Sequence, residues 1–216
     1  MISKNLKNRI YTSLVLFSLI ILIFNSNFIL VYSLIIFGVF SILEFITIIK
    51  RIFINKFYLF ISIFSFMMFT FIFCFVFFFF SNLLQLKIIL FSLLLCCIAS
   101  DLGGFIFGKT FNGPKLTKIS PNKTIVGSLG SIFLASLVMS ISIFFFTKNY
   151  SYTILIIAII TSIACQFGDL FFSLLKRKAK LKDTGNFLPG HGGVLDRLDG
   201  IFFGVPCGFI SLVFLY

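Results

Sequence analysis

The stretch from Phe57 to Phe80 reads FYLFISIFSFMMFTFIFCFVFFFF, an apolar run with no charged residue in it. A helix of that composition has no polar face to turn toward water. In lipid it needs none, because a helix satisfies its own backbone hydrogen bonds, and about 20 such residues cross a bilayer. Comparable runs occupy Ile10–Phe24, Phe28–Ile49, Ile88–Gly108, Leu129–Thr147, Tyr152–Leu175 and Gly200–Tyr216. The pattern predicts an all-α, polytopic integral membrane bundle of about seven transmembrane helices. The first run lacks a small-residue cleavage site and passes through "FNSNF" into the next, so it is read as a retained helix rather than a signal peptide.

The cations set the expected orientation. With the N-terminus cytoplasmic, the inner stretches carry Lys4, Lys7, Arg9, Lys50, Arg51, Lys56, Lys109, Lys115, Lys118, Lys123, Lys176, Arg177, Lys178, Lys180, Lys182 and Arg197. Only Lys87 and Lys148 fall outside. That asymmetry follows the positive-inside rule and predicts two long cytoplasmic loops, 109–128 and 176–199. The net charge of +12 is thus mostly a topological signal, reinforced by anionic lipid heads of the bilayer. The basic residues are spread over several loops with no folded basic domain, which argues against nucleic acid as a partner. The expected location is a cell membrane, crossed several times, with both long polar loops on the cytoplasmic face.

Cys74, Cys96, Cys97, Cys165 and Cys207 all lie in apolar runs without metal-type spacing, and read as small packing residues. Composition shifts sharply near residue 100. Every glycine except Gly38, all four prolines and every acid except Glu44 lie beyond it. Glycine permits close backbone approach and proline sets turns, so residues 1–100 read as hydrophobic scaffold and 101–216 as the catalytic region.

Two acids fall within or at the end of apolar runs, Asp101 in "CCIASDLGGFIFGKTF" and Asp169 in "ACQFGDLFFSLLKR". An acid at bilayer depth costs on the order of 3 kcal/mol and marks a functional candidate by default. Gln166, Asp169 and Ser173 are spaced to share one helix face, a polar stripe suited to the protein interior or a wet cavity.

The passage SLLKRKAKLKDTGNFLPGHGGVLDRLDG, residues 173–200, concentrates polar groups that are scarce elsewhere. If its end is helical, Asp196 and Asp199 point the same way, and with Asp169 three carboxylates could converge on one hard cation. Oxygen ligands without convergent Cys or His suit Mg²⁺ better than zinc. His191 stands alone, which fits a hydrogen-bonding or acid–base group better than a ligand. Arginine is rare in this chain, yet Arg177 and Arg197 both lie here, and a guanidinium grips phosphate in a bidentate way that lysine does not. Gly190, Gly192 and Gly193 lie in "PGHGG", a loop whose amides could cradle an anion. In the other inner loop, "SPNKT" places Ser120, Pro121, Lys123 and Thr124 around a fixed turn, a candidate second wall of the site.

The run Ser173-x-Leu175-Lys176-Arg177-x4-Lys182-Asp183-x-Gly185-x2-Leu188-Pro189-x-His191-Gly192-Gly193-Val194-x-Asp196-Arg197-Leu198-Asp199 resembles the signature of the phosphatidate cytidylyltransferase (CDP-diacylglycerol synthase) family. Asp101 with Phe105 and Gly108, and "SPNKT", agree with it. The resemblance covers roughly residues 100–200. It implies a Mg²⁺-dependent membrane enzyme that joins CTP to phosphatidic acid, giving CDP-diacylglycerol and pyrophosphate at the cytoplasmic face, and it is compatible with a homodimer. Carried onto matching positions, Asp169 and Asp196 would hold the metal centre. Lys176, Arg177, Lys182, Asp183, His191, Arg197 and the motif glycines would surround the nucleotide and lipid phosphates. Where the family commonly has glutamates, this chain has Val126 and Phe172.

Three other readings stay open on the residues alone. A membrane phosphotransferase of the CDP-alcohol type would place its acids at close helical spacing. An ion-coupled transporter would place them near mid-bilayer in broken helices. A degenerate family member with weak or no activity would fit the residues at 126 and 172.

Overall fold

The computed structural model describes residues 4–111, 113–117, 119–185, 187 and 192–215, with side chains described from Tyr11 onward. Among the described residues the chain forms eight helices: α1 Lys4–Asn25, α2 Asn27–Ile52, α3 Lys56–Ser81, α4 Leu84–Phe111, α5 Ile125–Thr147, α6 Tyr152–Lys178, the short α7 Leu195–Leu198, and α8 Ile201–Leu215. Six stretches among the described residues are long and apolar enough to cross a membrane: α2, α3, α4, α5, α6, and Leu195–Leu215. The seventh expected span is a shorter apolar helix, Tyr11–Asn25 within α1.

Helix ends differ from the expected ones for local reasons. α4 continues through Lys109 to Phe111, because nothing interrupts it before Gly113-Pro114. Asp101 therefore lies well inside α4. Lys87, expected in an outer loop, also lies within α4 and is buried. α5 begins four residues earlier than expected because Thr124 caps it, accepting from the Gly127 amide at 3.0 Å. α6 runs past Leu175 to Lys178, and cations in a last turn are favoured by the helix dipole. It ends at Lys180, whose φ of 55° is left-handed. The Leu181 amide donates to Lys176 O at 2.8 Å and that of Lys180 to Arg177 O at 3.0 Å, a Schellman closure with lysine where glycine is usual.

The helices form two compact units, residues 1–82 with 175–198, and residues 83–174 with 199–216. In the first, Phe45 stacks on Phe66 with ring centroids 4.0 Å apart, and Leu30 and Ile48 are fully buried. A Cβ at Gly38 of α2 would sit in ordinary contact with Thr70 and Cys74 of α3, at 3.6 and 3.5 Å. Phe40 of α2 lies against Phe187, with centroids 3.7 Å apart. Outward phenylalanines such as Phe60, Phe71, Phe75 and Phe79 are exposed, as expected of a surface covered by lipid.

In the second unit α4 and α5 pack through small residues. A Cβ at Gly103 would meet Gly130 O at 2.5 Å, so these backbones approach as closely as glycine allows. Cys96, Cys97 and Cys165 are fully buried and unpaired, as expected of small packing residues. Gly168 of α6 lies against the carbonyl of Asp199.

Candidate functional site

In the second unit, the "SPNKT" loop is a shaped hairpin. The Lys123 amide donates to Ser120 O at 3.1 Å, which closes a turn with Pro121 at its second position. Leu116 N donates to Lys123 O at 2.7 Å, and an antiparallel bridge joins Lys115 and Thr124. Lys115, Leu116, Thr117 and Pro121 line an open hollow of about 430 Å³. The turn delivers Lys123 to α6, where its Nζ donates to Asp169 Oδ2.

The expected stripe on α6 faces this loop and the start of α5. Ser128 Oγ donates to Gln166 Oε1, and Gln166 Nε2 donates to Ser128 O at 3.3 Å and Ser162 Oγ at 3.4 Å. Ser173 sits one turn beyond Asp169 and is half-buried. Cys165, one turn before Asp169, directs its thiol at 3.7 Å to Asp101 Oδ1. Both intramembrane acids therefore address α6, Asp101 across a helix pair and Asp169 from α6 itself.

The first unit holds the second cluster. Lys176 Nζ donates to Asp196 Oδ1 at 2.7 Å, and the amides of Thr184 and Gly193 donate to Oδ2 at 2.9 and 3.1 Å. Three donors thus converge on one carboxylate. Gly192 has a φ of 84°, and a Cβ there would lie 3.1 Å from Asp196 Oδ2, so the turn requires glycine on both grounds. Asp183, Arg177, Lys182 and Arg197 are exposed around this core. Gly190 and His191 lie outside the described residues.

Two expectations meet a different arrangement. α7 stops at Leu198, so Asp199 does not continue a helix face with Asp196. Asp199 is instead buried, with Oδ1 accepting from the Gly200 amide at 2.9 Å just ahead of α8. Of the glycine loop expected to cradle an anion, the Gly193 amide donates to Asp196 Oδ2.

Glu44 was missed by the sequence reading, which placed it in scaffold. Its buried carboxylate accepts from Thr184 Oγ1 at 2.6 Å, Val194 N at 3.0 Å and Leu195 N at 2.9 Å. The signal that could have found it is the one that flagged Asp101 and Asp169, an acid inside an apolar run.

Asp169 and Asp196 offer carboxylate oxygens, the donors Mg²⁺ prefers. Asp169 Oδ1 has no bond to another described residue, and a carboxylate oxygen has lone pairs to spare. Among the described residues no three acid, His or Cys side chains gather as a ready metal cage. A Mg²⁺ shell completed by water and phosphate fits that donor set, and an all-protein cage does not.

A family model described as the cytidylyltransferase family matches residues 2–215. The chain belongs to the cytidylyltransferase family. Similar members include a phosphatidate cytidylyltransferase of Helicobacter pylori, 44% identical over 119 residues, 52% of this chain and 42% of that protein. One from Rickettsia bellii is 42% identical over 126 residues, 54% of each chain. One from Staphylococcus haemolyticus is 42% identical over 116 residues, 53% of this chain and 45% of that protein. The chain spans about half the length of the curated relatives it matches. Family membership accords with the resemblance carried by residues 173–199, and a multi-pass membrane protein is what its apolar helices make of it.

Proposed function

We propose that this chain transfers CMP from CTP to phosphatidic acid, releasing pyrophosphate and leaving CDP-diacylglycerol in the membrane. The observation that carries the reading is the family match over residues 2–215. The relatives' own names, phosphatidate cytidylyltransferase, supply the substrates. The cation asymmetry of the loops supports a cytoplasmic active site, and the bacterial relatives support a bacterial-type inner membrane.

A phosphate oxygen of phosphatidic acid attacks the α-phosphorus of CTP. The bond from that phosphorus to the bridging oxygen breaks, and pyrophosphate leaves with the electron pair. The attacking phosphate is already an anion, so no general base is required, and the protein's work is alignment and charge neutralisation. When bound, Mg²⁺ would polarise the phosphoryl oxygens and offset charge on the leaving group. By the motif resemblance, Asp169 and Asp196 would have the metal-holding role. Lys123 and Lys176, each already on one of those carboxylates, are ammonium groups ready to meet substrate phosphate. Arg177, Lys182 and Arg197 are exposed cations for the nucleotide and pyrophosphate oxygens. Asp199, buried just ahead of α8, is the third acid of the motif in this reading.

The test uses the full chain purified in detergent, with phosphatidic acid, Mg²⁺ and labelled CTP. Labelled CDP-diacylglycerol is expected, lost in Asp169→Asn and Asp196→Asn. Absence of product from folded wild-type protein overturns the activity, and full activity in both variants overturns the assigned site.

A further inference from the structure

The mechanism above leaves Glu44 unused, although it accepts as many hydrogen bonds as Asp196 does. It sits in α2, is 8% exposed, and meets a segment about 140 residues further along the chain. Its three partners all donate: Thr184 Oγ1 and Leu195 N to Oε2, and Val194 N to Oε1. The residues bonded to Glu44 are interleaved with those bonded to Asp196. Thr184 gives its hydroxyl to Glu44 and its amide to Asp196. Gly193 gives its amide to Asp196, and the next two amides go to Glu44. The glycines of the motif make room for this. A Cβ at Gly185 would lie 2.6 Å from Glu44 Oε1, and one at Gly193 would collide with both Glu44 and Thr184.

From this ladder we infer that Glu44 is the positioning residue of the motif segment, holding residues 184 and 193–195 so that Asp196 and its partner Lys176 are presented in one orientation. The inference deepens the proposed function and rests on it for the role of Asp196. A carboxylate suits the task because it only accepts, and each of its oxygens faces a backbone amide that can only donate. An isosteric amide would turn an NH₂ group toward one of those donors. The effect on chemistry is indirect, as Glu44 touches Asp196 only through Thr184 and the backbone.

Glu44→Gln, Glu44→Asp and Thr184→Val are compared with wild type and Asp196→Asn, as full chains in detergent. Steady-state kinetics are read alongside peptide-resolved hydrogen exchange. Glu44→Gln is expected to lower kcat by about 10–100-fold, the usual effect of losing a group that orients a ligand residue, while KM for CTP changes little. Exchange should rise in the peptide covering 183–198 and stay at the wild-type level in α4 and α5. Glu44→Asp, still an acceptor-only group, should recover part of the rate.

Wild-type kcat in Glu44→Gln overturns the inference, and so does exchange that rises across the whole chain in proportion to lost rate. If Glu44→Gln does not fold, Thr184→Val keeps both amide bonds, and it must show a smaller fall in kcat with the same local exchange. Wild-type behaviour of that variant overturns the inference. Failure of the enzyme reading looks different: wild type is then inactive, or Asp196→Asn fully active, and the exchange measurement alone still decides whether Glu44 holds the segment.

Discussion

Lys176 Nζ lies 2.7 Å from Asp196 Oδ1, with the two side chains only 12% and 9% exposed. A pair so shielded keeps its Coulomb attraction, and removing one member leaves a charge with little water around it. Lys176→Met and Asp196→Asn should each lower the melting temperature in detergent. The double variant should melt closer to wild type than the sum of the single effects, since neither group is then stranded. Additive losses would show that the pair is not coupled.

Asp169 and Lys123 differ, because both side chains are more than a quarter exposed. Pairs of that kind contribute little to stability, typically below about 1 kcal/mol. Asp169→Asn should therefore leave the melting temperature nearly unchanged while lowering kcat by about 100-fold or more, on the scale of losing a group that stabilises transition-state charge. A large loss of stability with modest loss of rate would assign Asp169 to structure.

The space around two glycines, Gly103 between α4 and α5 and Gly38 between α2 and α3, predicts opposite outcomes for alanine. Gly103→Ala drives a methyl into the Gly130 carbonyl and should destabilise by about 1–3 kcal/mol. At Gly38 a Cβ meets nothing nearer than 3.5 Å. Gly38→Ala should be neutral or stabilising by up to about 1 kcal/mol, from better helix propensity. Unfolding in denaturant from the same detergent compares the two.

Lys180 closes α6 in the left-handed region at φ 55°. A residue with a Cβ is held there at a cost of roughly 1–2 kcal/mol, which glycine avoids at the expense of a more flexible unfolded chain. Lys180→Gly should raise the melting temperature slightly without changing kcat. A lower melting temperature would mean that Lys180 contributes contacts beyond its backbone.

Topology is tested by single cysteines in a background lacking the native five. Cysteines at 180 and 115 should react with a membrane-impermeant maleimide only after permeabilisation, and one at 148 in intact cells. That is the labelling the loop cations require. The reverse pattern would invert the orientation and remove the cytoplasmic site.

Much of this protein is legible along the chain because it depends on local composition. Apolar runs such as Phe57–Phe80 have one stable solution in a bilayer, and each helix can be read without knowing its neighbours. The turn of Ser120–Lys123 and the cap at Thr124 are equally local, since proline and threonine act on backbone within a few residues. The stripe of Gln166 and Asp169 was visible from helical spacing, though its partners Ser128 and Lys123 were not named by it. Asp199 went differently because a helix end, unlike a helix, is decided by what packs on it: α7 stops at Leu198 and the carboxylate turns to Gly200. Glu44 shows where reading the chain ends. Two of its three partners are backbone amides, which every residue but proline carries, so no side-chain pattern could single out Val194 and Leu195. Only the folded chain, bringing residues about 140 to 150 positions apart within hydrogen-bonding distance, selects which amides an acid will hold.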